Sequence, residues 1–248
     1  MYPLFLHLNK WQQVPSFHDC LCSFHNIHTV FHNSVPVRQN LFGHSVSREE
    51  AVRYFSLDPS KKTILILGGS LGARTINRTL TAGLDIIRQN PDIQFIWQTG
   101  KIYIDQVRDA ITTAVGEAVH HPHINAIPNL YVTDFIKDMA NAYAAADLVI
   151  SRAGAGSISE FCLLHKPVIL VPSPNVAEDH QTKNALALVD KDAAIYVKDV
   201  EAQEKLLPVA LATVKDSDKL KELSNNIAKL ALPDSATIIA KEVLKLIK

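Results

Sequence analysis

The sequence has few cysteines, no excess of charge of one sign and no long apolar run. Cys20, Cys22 and Cys162 are few and odd in number, which is typical of a reducing compartment. Lys plus Arg and Asp plus Glu both number 25, so the formal net charge is zero. This balance argues against a broad nucleic-acid surface, although it leaves room for a local basic patch. No apolar run reaches the length of a membrane span, and residues 1–10 lack the features of a secretory signal. We expect a cytoplasmic protein.

Patterns for metal binding and nucleophilic catalysis are also missing. No Ser-His-Asp spacing or catalytic-cysteine context is present. One cluster invites a zinc interpretation, but its spacing matches no common structural zinc pattern; it consists of Cys20, Cys22, His25, His28 and His32. We therefore predict no metal site and no cofactor.

Residues 1–35 differ from the rest of the chain. They are rich in aromatic residues and histidine but show no period of 2 or 3.6. A partial domain, a disordered arm and a reading-frame artefact all remain open for this segment. We assign no domain to residues 1–35 and one domain to residues 36–248.

From Ser47 onward, strands alternate with helices. Ser47 and Glu50 have capping-box spacing, which predicts a short helix ending near Phe55. Strands are predicted near 63–68, 93–98, 131–134, 147–151, 168–172 and 193–197. Helices are predicted near 72–89, 101–116, 137–146, 156–165, 179–190, 201–214, 216–230 and 235–247. The strands are continuous apolar runs, which indicates burial on both faces. The chain therefore predicts a Rossmann-like, doubly wound α/β fold with a parallel sheet.

Residues 68–73, here the first glycine turn, follow the first predicted strand. Ser70 replaces the second glycine of the dinucleotide fingerprint, and the next strand ends in Gln98 rather than in an acidic residue. The turn also lacks the ending of a P-loop. A tight connection and an anion-binding loop are both compatible with this sequence.

Residues 153–157, here the second glycine turn, follow the strand predicted at 147–151. Small residues there let a ligand approach the backbone, and the following helix start offers free N–H groups and a positive dipole end. Ser157 and Glu160 fit a capping box. Glu160 is alternatively an acceptor for sugar hydroxyls. Two such turns suggest a site for a ligand that carries a diphosphate.

A polar cluster, residues 178–184, follows the strand predicted at 168–172. These side chains could hydrogen-bond a sugar. A solvated helix start, whose acidic residues complement the dipole, is the favoured interpretation from spacing alone.

Five ordered motifs resemble the MurG family, the bacterial UDP-N-acetylglucosamine:lipid I N-acetylglucosaminyltransferases of peptidoglycan synthesis. The motifs lie at residues 36–40, 68–77, 133–140, 151–160 and 179–185. The resemblance implies a GT-B fold, with two Rossmann-like domains flanking a cleft, of which this chain carries the C-terminal, donor-binding one. It also implies a set of substrate-binding residues. Arg38 would face the nucleotide, and the backbone of Ile136 would contact uracil. Ser70 and residues 153–157, which include Ala155, Gly156 and Ser157, would bind the diphosphate, with Ile158 and Ser159 next to them in the sequence. Glu160 would bind the ribose, and Gln181 would bind N-acetylglucosamine.

The resemblance further implies that catalytic groups and the lipid I acceptor surface belong to an N-terminal domain that is not seen in this sequence. Residues 1–35 show no resemblance, so we expect a truncated or frame-shifted product, weak or inactive alone. The intact enzyme would make lipid II at the cytoplasmic face of the membrane. A non-catalytic UDP-sugar-binding subunit with a separate acceptor-domain partner, or another GT-B glycolipid glycosyltransferase, remain alternatives.

Overall fold

The computed structural model describes residues 41, 46–117, 124–174, 179–233, 237, 240, 241 and 244. Backbone contacts divide the chain into Met1–Val37 with Leu232–Lys248, and Arg38–Ala231. The elements below all belong to the second of these units. Arg38 and the cysteine–histidine cluster lie outside the described residues. The predicted helix at 235–247 is only partly described.

Helices and strands alternate through the described residues. The strands are β1 (Lys62–Leu67), β2 (Ile93–Gln98), β3 (Ile124–Ile127), β4 (Leu130–Thr133), β5 (Leu148–Ser151), β6 (Val168–Leu170) and β7 (Ile195–Tyr196). The helices are α1 (Arg48–Tyr54), α2 (Arg74–Ala82), α3 (Leu84–Gln89), α4 (Ile104–Val115), α5 (Met139–Ala145), α6 (Ala155–Leu163), α7 (His180–Val189), α8 (Ala202–Lys215) and α9 (Ser217–Ala228). A 3₁₀ helix, Asp199–Glu201, precedes α8.

The seven strands form one sheet in the order β3-β4-β2-β1-β5-β6-β7. All neighbours are parallel except the antiparallel pair β3 and β4. If only the parallel strands are counted, their order is 3-2-1-4-5-6, the order of dinucleotide-binding folds. The order reverses between β1 and β5, and a ligand is expected at the carboxyl ends of these two strands. The predicted Rossmann-like, doubly wound fold is confirmed.

Both faces of the sheet are covered, as the apolar strands predicted. Ile64 and Ile66 of β1 join Trp97 of β2 in a core that also includes apolar residues of α2, α4 and α8. Leu65 and Ile96, which alternate with those residues, are fully buried as well. Side chains on successive strand residues point to opposite faces, so burial of both sets requires helices on each side.

One local prediction was wrong, and one strand was missed. The helix predicted over 72–89 is two helices, because Gly83 separates α2 from α3. A Cβ on Gly83 would lie 2.1 Å from Cδ1 of Leu207, so α8 packs directly against the glycine. Strand β3 was not predicted; its four residues, which include Asn125, form an antiparallel edge on an otherwise parallel sheet.

Helix α1 is anchored at the amino ends of the central strands. Its predicted capping box is confirmed, with Ser47 and Glu50 bonded reciprocally. The Arg48 guanidinium donates to the Pro59 and Lys61 carbonyls, each at 2.7 Å, and to Asp147 at 2.7 Å. Asp147 also accepts from the Thr63 N–H at 2.8 Å. Among the described residues, no helix combines the length and apolar character needed to cross a membrane.

Candidate functional site

A cavity of about 740 Å³ opens at the carboxyl ends of β1 and β5, where the strand order reverses. This volume is in the range of small-molecule sites. Its lining residues are Leu67, Gly68, Gly69, Ser70, Leu71, Gly72, Ala73, Arg74, Thr75, Gln98, Tyr103, Phe135, Ile136, Met139, Tyr143, Ser151, Arg152, Gly154, Ser157, Ser173, Pro174, Gln181 and Asp199. The cavity therefore brings together the two glycine turns, which are about 80 residues apart in the sequence.

The first glycine turn is both a tight connection and a source of free N–H groups. Gly72 has a φ of 84°, and a Cβ there would lie 2.4 Å from the Thr99 carbonyl oxygen, so glycine is required. The Gln98 amide, which was not singled out as a site residue, donates to the Gly69 carbonyl at 3.1 Å. Within the described part of the chain, the N–H groups of Ser70 and Leu71 have no hydrogen-bond partner. The two interpretations left open by the sequence are thus compatible.

The second glycine turn leads into a helix start without a side-chain cap. Gly154 is the N-cap, and the first intrahelical bond runs from the Ile158 N–H to its carbonyl at 3.0 Å. The N–H groups of Ala155, Gly156 and Ser157 therefore have no partner among the described residues. A Cβ on Gly154 would meet no atom within 4 Å, so this glycine leaves open space. The helix N-terminus and its dipole favour an anion here.

The capping box predicted for Ser157 and Glu160 was wrong, because α6 begins at Ala155, two residues before Ser157. Glu160 lies in the second turn of the helix and is only 6% exposed. Its carboxylate accepts a hydrogen bond from the Tyr143 hydroxyl at 2.6 Å. Tyr143 lines the cavity and Glu160 does not. The sequence did not indicate this contact, because Tyr143 and Glu160 belong to different helices.

A chain of polar contacts crosses one wall of the cavity. Arg152 donates to the Val171 and Pro172 carbonyls, at 2.9 and 3.1 Å, and forms an ion pair with Asp199. The other oxygen of Asp199 accepts from the Thr75 hydroxyl at 2.8 Å. These contacts tie the second glycine turn to the start of α2. Sequence analysis missed all of them, since their members are far apart along the chain.

Arg74 is a second residue that the sequence analysis did not single out. It is the first residue of α2, is exposed and lines the cavity. Among the described residues it has no hydrogen-bond or ion-pair partner. Asp199 balances the charge of Arg152. Among the described residues that line the cavity, Arg74 is therefore the cation without a compensating carboxylate.

The cavity brings together four of the predicted site residues: Ser70, Ile136, Ser157 and Gln181. The Gln181 side-chain oxygen accepts from the Ser173 N–H at 2.9 Å. The other described members lie outside the lining; these are Ala155, Gly156, Ile158, Ser159 and Glu160. The Ser159 hydroxyl donates to the Ala155 carbonyl at 3.1 Å.

The solvated helix start favoured for residues 178–184 does not describe Gln181 and Asn184. Both side chains are partly buried, and Asn184 donates to the Ala153 carbonyl at 3.1 Å. Residues three apart on a helix share one face, so these two amides lie on one side of α7. One contacts the loop after β6 and the other supports the second glycine turn.

No group of three or more His, Cys, Asp or Glu side chains among the described residues is arranged to hold a metal ion. Cys162 packs in the core next to Phe161, and burial raises the pKa of its thiol to about 11. The thiol is therefore protonated at neutral pH and is a poor nucleophile.

The strand order and the cavity at its reversal point define a doubly wound α/β domain with a ligand cavity at its switch point. Its GT-B type follows from the family match and from a solved relative. A model of the glycosyltransferase family 28 C-terminal domain matches residues 63–239. The chain belongs to this family.

Three relatives illustrate the similarity. The "UDP-N-acetylglucosamine--N-acetylmuramyl-(pentapeptide) pyrophosphoryl-undecaprenol N-acetylglucosamine transferase" of Bacteroides fragilis is 68% identical over 237 residues, covering 96% of this chain and 60% of the relative. The protein of that name from Bacteroides thetaiotaomicron is 72% identical over 211 residues, covering 85% and 54%. The crystal structure of Acinetobacter baumannii MurG superposes with a TM-score of 0.61 and 27% identity, covering 82% of this chain and 54% of that one.

The chain thus spans little more than half the length of these relatives. The match with the Bacteroides fragilis protein includes 237 of the 248 residues, so it extends into residues 1–35. The expectation that this segment has no resemblance to the family was therefore wrong for the matched part. The domain boundary at residue 36 stays a prediction.

Proposed function

We propose that this chain binds UDP-N-acetylglucosamine as the donor half of an inverting transferase that converts lipid I to lipid II. The observation that carries the proposal is the pair of glycine turns, which present unpaired backbone N–H groups to one cavity. A diphosphate is the ligand that such paired helix starts recognise through main-chain donors. The name of the Bacteroides relatives supplies the particular sugar nucleotide and acceptor.

The proposed roles are those that the family resemblance implies for these residues. The N–H groups beside Ser70 and Ser157 bind the diphosphate, and the backbone at Ile136 contacts the base. Gln181 contacts the sugar, and Glu160 binds the ribose hydroxyls. When the acceptor hydroxyl attacks the anomeric carbon, the bond to UDP breaks and negative charge grows on the leaving diphosphate. The helix dipole of α6 and fixed N–H donors stabilise that charge without moving.

We further propose that a domain other than the one described binds the acceptor and supplies the catalytic base. Lipid I is embedded in the membrane, so the intact enzyme would work as a peripheral protein at its cytoplasmic face. A separate acceptor-domain subunit is the alternative arrangement for the same donor site. No nucleic-acid partner is proposed, because the net charge is zero.

Binding of UDP to the purified chain tests the proposal. Calorimetry should detect saturable binding, and UDP should raise the melting temperature, because a ligand that binds only the folded state stabilises it. UDP-N-acetylglucosamine should compete with UDP, and CMP should not. The absence of both heat and a melting shift at millimolar UDP would contradict the donor-half assignment.

Gly154→Val is the matched variant for this test. The added side chain enters open space next to the unpaired N–H groups, so we expect UDP binding to be lost. The N-cap change itself costs about 1 kcal/mol, so the unliganded variant should stay folded. Circular dichroism checks that condition. If the folded variant bound UDP like the unaltered chain, the second glycine turn would not be the ligand site.

A further inference from the structure

We propose that a second cavity, formed by α2, α4 and α8, binds a phosphate monoester. This cavity, here called the arginine groove, has a volume of about 510 Å³. Its polar lining includes Arg74, Arg78, Thr81, Tyr103, Gln106 and Gln203. Among the described residues, none that lines it is acidic. The inference goes beyond the proposed function and does not depend on it, because the arginine groove needs no nucleotide.

The two arginines lack the partners that the other described arginines have. Arg74 and Arg78 are both exposed and lie four residues apart on one face of α2, where like charges repel each other. Within the described part of the chain, neither forms an ion pair or a hydrogen bond. Each remaining described arginine forms an ion pair with a carboxylate; these are Arg48, Arg53, Arg88, Arg108 and Arg152. An anion that contacts both unpaired guanidinium groups would relieve their repulsion.

The start of α4 adds further positive potential to the arginine groove. Tyr103 is the N-cap of this helix and gives it no side-chain cap. The N–H groups of Ile104, Asp105 and Gln106 have no hydrogen-bond partner among the described residues, and Gln106 lines the groove. Asp105 forms an ion pair with Arg108 at 2.7 Å, so its charge is already balanced. The positive end of the α4 dipole therefore acts together with the two arginines.

This arrangement suits a phosphate monoester better than a carboxylate. A guanidinium group binds phosphate oxygens through two parallel N–H donors, and two such groups match the double negative charge of a monoester near neutral pH. The side-chain amides of Gln106 and Gln203 and the hydroxyl of Tyr103 are further donors in the lining. The volume is in the range of small-molecule sites and leaves room for the organic part of the ester. That part could belong to a lipid or to a soluble phosphorylated compound.

The arginine groove is separate from the nucleotide cavity. Of the described residues, only Arg74 and Tyr103 line both cavities. The Tyr103 ring packs against the first glycine turn, since a Cβ on Gly72 would lie 2.5 Å from its Cδ2. Tyr103 is therefore part of the wall between the two cavities. Arg78 lines the arginine groove alone, so its substitution tests this site without altering the lining of the other.

The test titrates inorganic phosphate into the full chain at constant ionic strength, with UDP at saturation to fill the nucleotide cavity. Calorimetry should show that the unaltered chain binds phosphate and binds acetate more weakly. Arg78→Gln should weaken phosphate binding by about three- to tenfold, the value of one exposed ion pair. If UDP does not bind, the proposed function fails, and the same comparison without UDP still tests the arginine groove.

Arg53→Gln is the matched control. Arg53 is an exposed arginine on α1 and lies outside the described lining of both cavities, so its substitution removes the same charge elsewhere. Phosphate affinity should not change in this variant. Circular dichroism checks that both variants fold, as expected for glutamine at exposed helix positions. Equal phosphate affinity in the two variants, no phosphate binding by the unaltered chain, or equally tight acetate binding would overturn the inference.

Sedimentation with vesicles separates the two sources of the phosphate group. The vesicles contain phosphatidylcholine with or without phosphatidic acid, whose headgroup is a phosphate monoester. Sedimentation that requires phosphatidic acid, and that Arg78→Gln reduces while Arg53→Gln does not, would assign the site to a lipid. Binding of inorganic phosphate that depends on Arg78, without vesicle binding, would assign it to a soluble phosphate ester.

Discussion

Arg74 shows how charge is distributed around the cavity. An arginine at the first position of a helix opposes the helix dipole, which favours negative charge there. Its presence therefore costs some helix stability unless an anion compensates it. Among the described residues no carboxylate pairs with Arg74, whereas Asp199 forms an ion pair with Arg152. A bound diphosphate would supply the missing negative charge.

We predict that Arg74→Gln weakens UDP binding by roughly three- to tenfold at low ionic strength, since one partly exposed ion pair is lost. The deficit should shrink as salt is added, because salt screens an exposed charge. Calorimetric titrations at low and high salt measure both effects.

Arg78→Gln is the control for this change. Arg78 lies one turn further along α2, is also exposed and lies outside the cavity lining. Arg78→Gln removes the same charge from the same helix but at a position outside the cavity, so the affinity for UDP should hardly change. Equal losses in the two variants would show that the net charge, and not the position of Arg74, governs binding.

At the residue scale, the sequence predicted the two glycine turns but not the side-chain contacts around them. Glycines and small residues after apolar strands are local signals, and both turns were located from them. The partners of Glu160 and Arg152 are Tyr143 and Asp199, which come from other elements. The Ser157 spacing even indicated the wrong role for Glu160, because a capping-box pattern does not reveal where the helix begins.

At the scale of elements, Gly83 divides one predicted helix into α2 and α3. An isolated glycine in a helical pattern is tolerated and does not itself predict a break. The reason lies in α8, whose buried Leu207 occupies the place of the absent side chain. Alternation of strands and helices was predictable because it depends on local hydrophobic patterns. The break, like the edge strand β3, depends on a packing partner elsewhere in the chain.

We predict that Gly83→Ala lowers the free energy of unfolding by about 1–3 kcal/mol, because the new Cβ overlaps Leu207 in the core. Urea denaturation followed by circular dichroism measures the change. Gly156→Ala is the comparison: a Cβ there meets no atom within 4 Å, and alanine suits a helix better. That variant should be as stable as the unaltered chain or more stable. A neutral Gly83→Ala would contradict the packing account of the break.

At the scale of the whole molecule, the described fold carries the proposed donor site, and the chain corresponds to only part of its relatives. The chain matches 60% and 54% of the length of the two Bacteroides relatives. Every residue given a role in donor binding belongs to the unit Arg38–Ala231, and all of them except Arg38 are among the described residues. A transfer reaction also needs an acceptor held in line with the anomeric carbon, which is a large part of its rate.

We predict that this chain alone has little or no transferase activity. With UDP-N-acetylglucosamine and a lipid I analogue, product measured by chromatography should stay at the level of the reaction without protein. The full-length Bacteroides fragilis relative, assayed in parallel, serves as the positive control. Steady-state turnover by the isolated chain would show that the acceptor does not need a second domain.

The Arg48–Asp147 ion pair bears on how such domains can be exchanged between proteins. The family match begins at residue 63, yet Arg48 lies before it and Asp147 within it. A chimera joined at residue 63 would inherit the two partners from different parents. A mismatch there would leave Asp147, which also accepts from Thr63, without its arginine at the base of β1 and β5. A chimera should therefore take α1 and the sheet from the same parent, with the crossover point before Ser47.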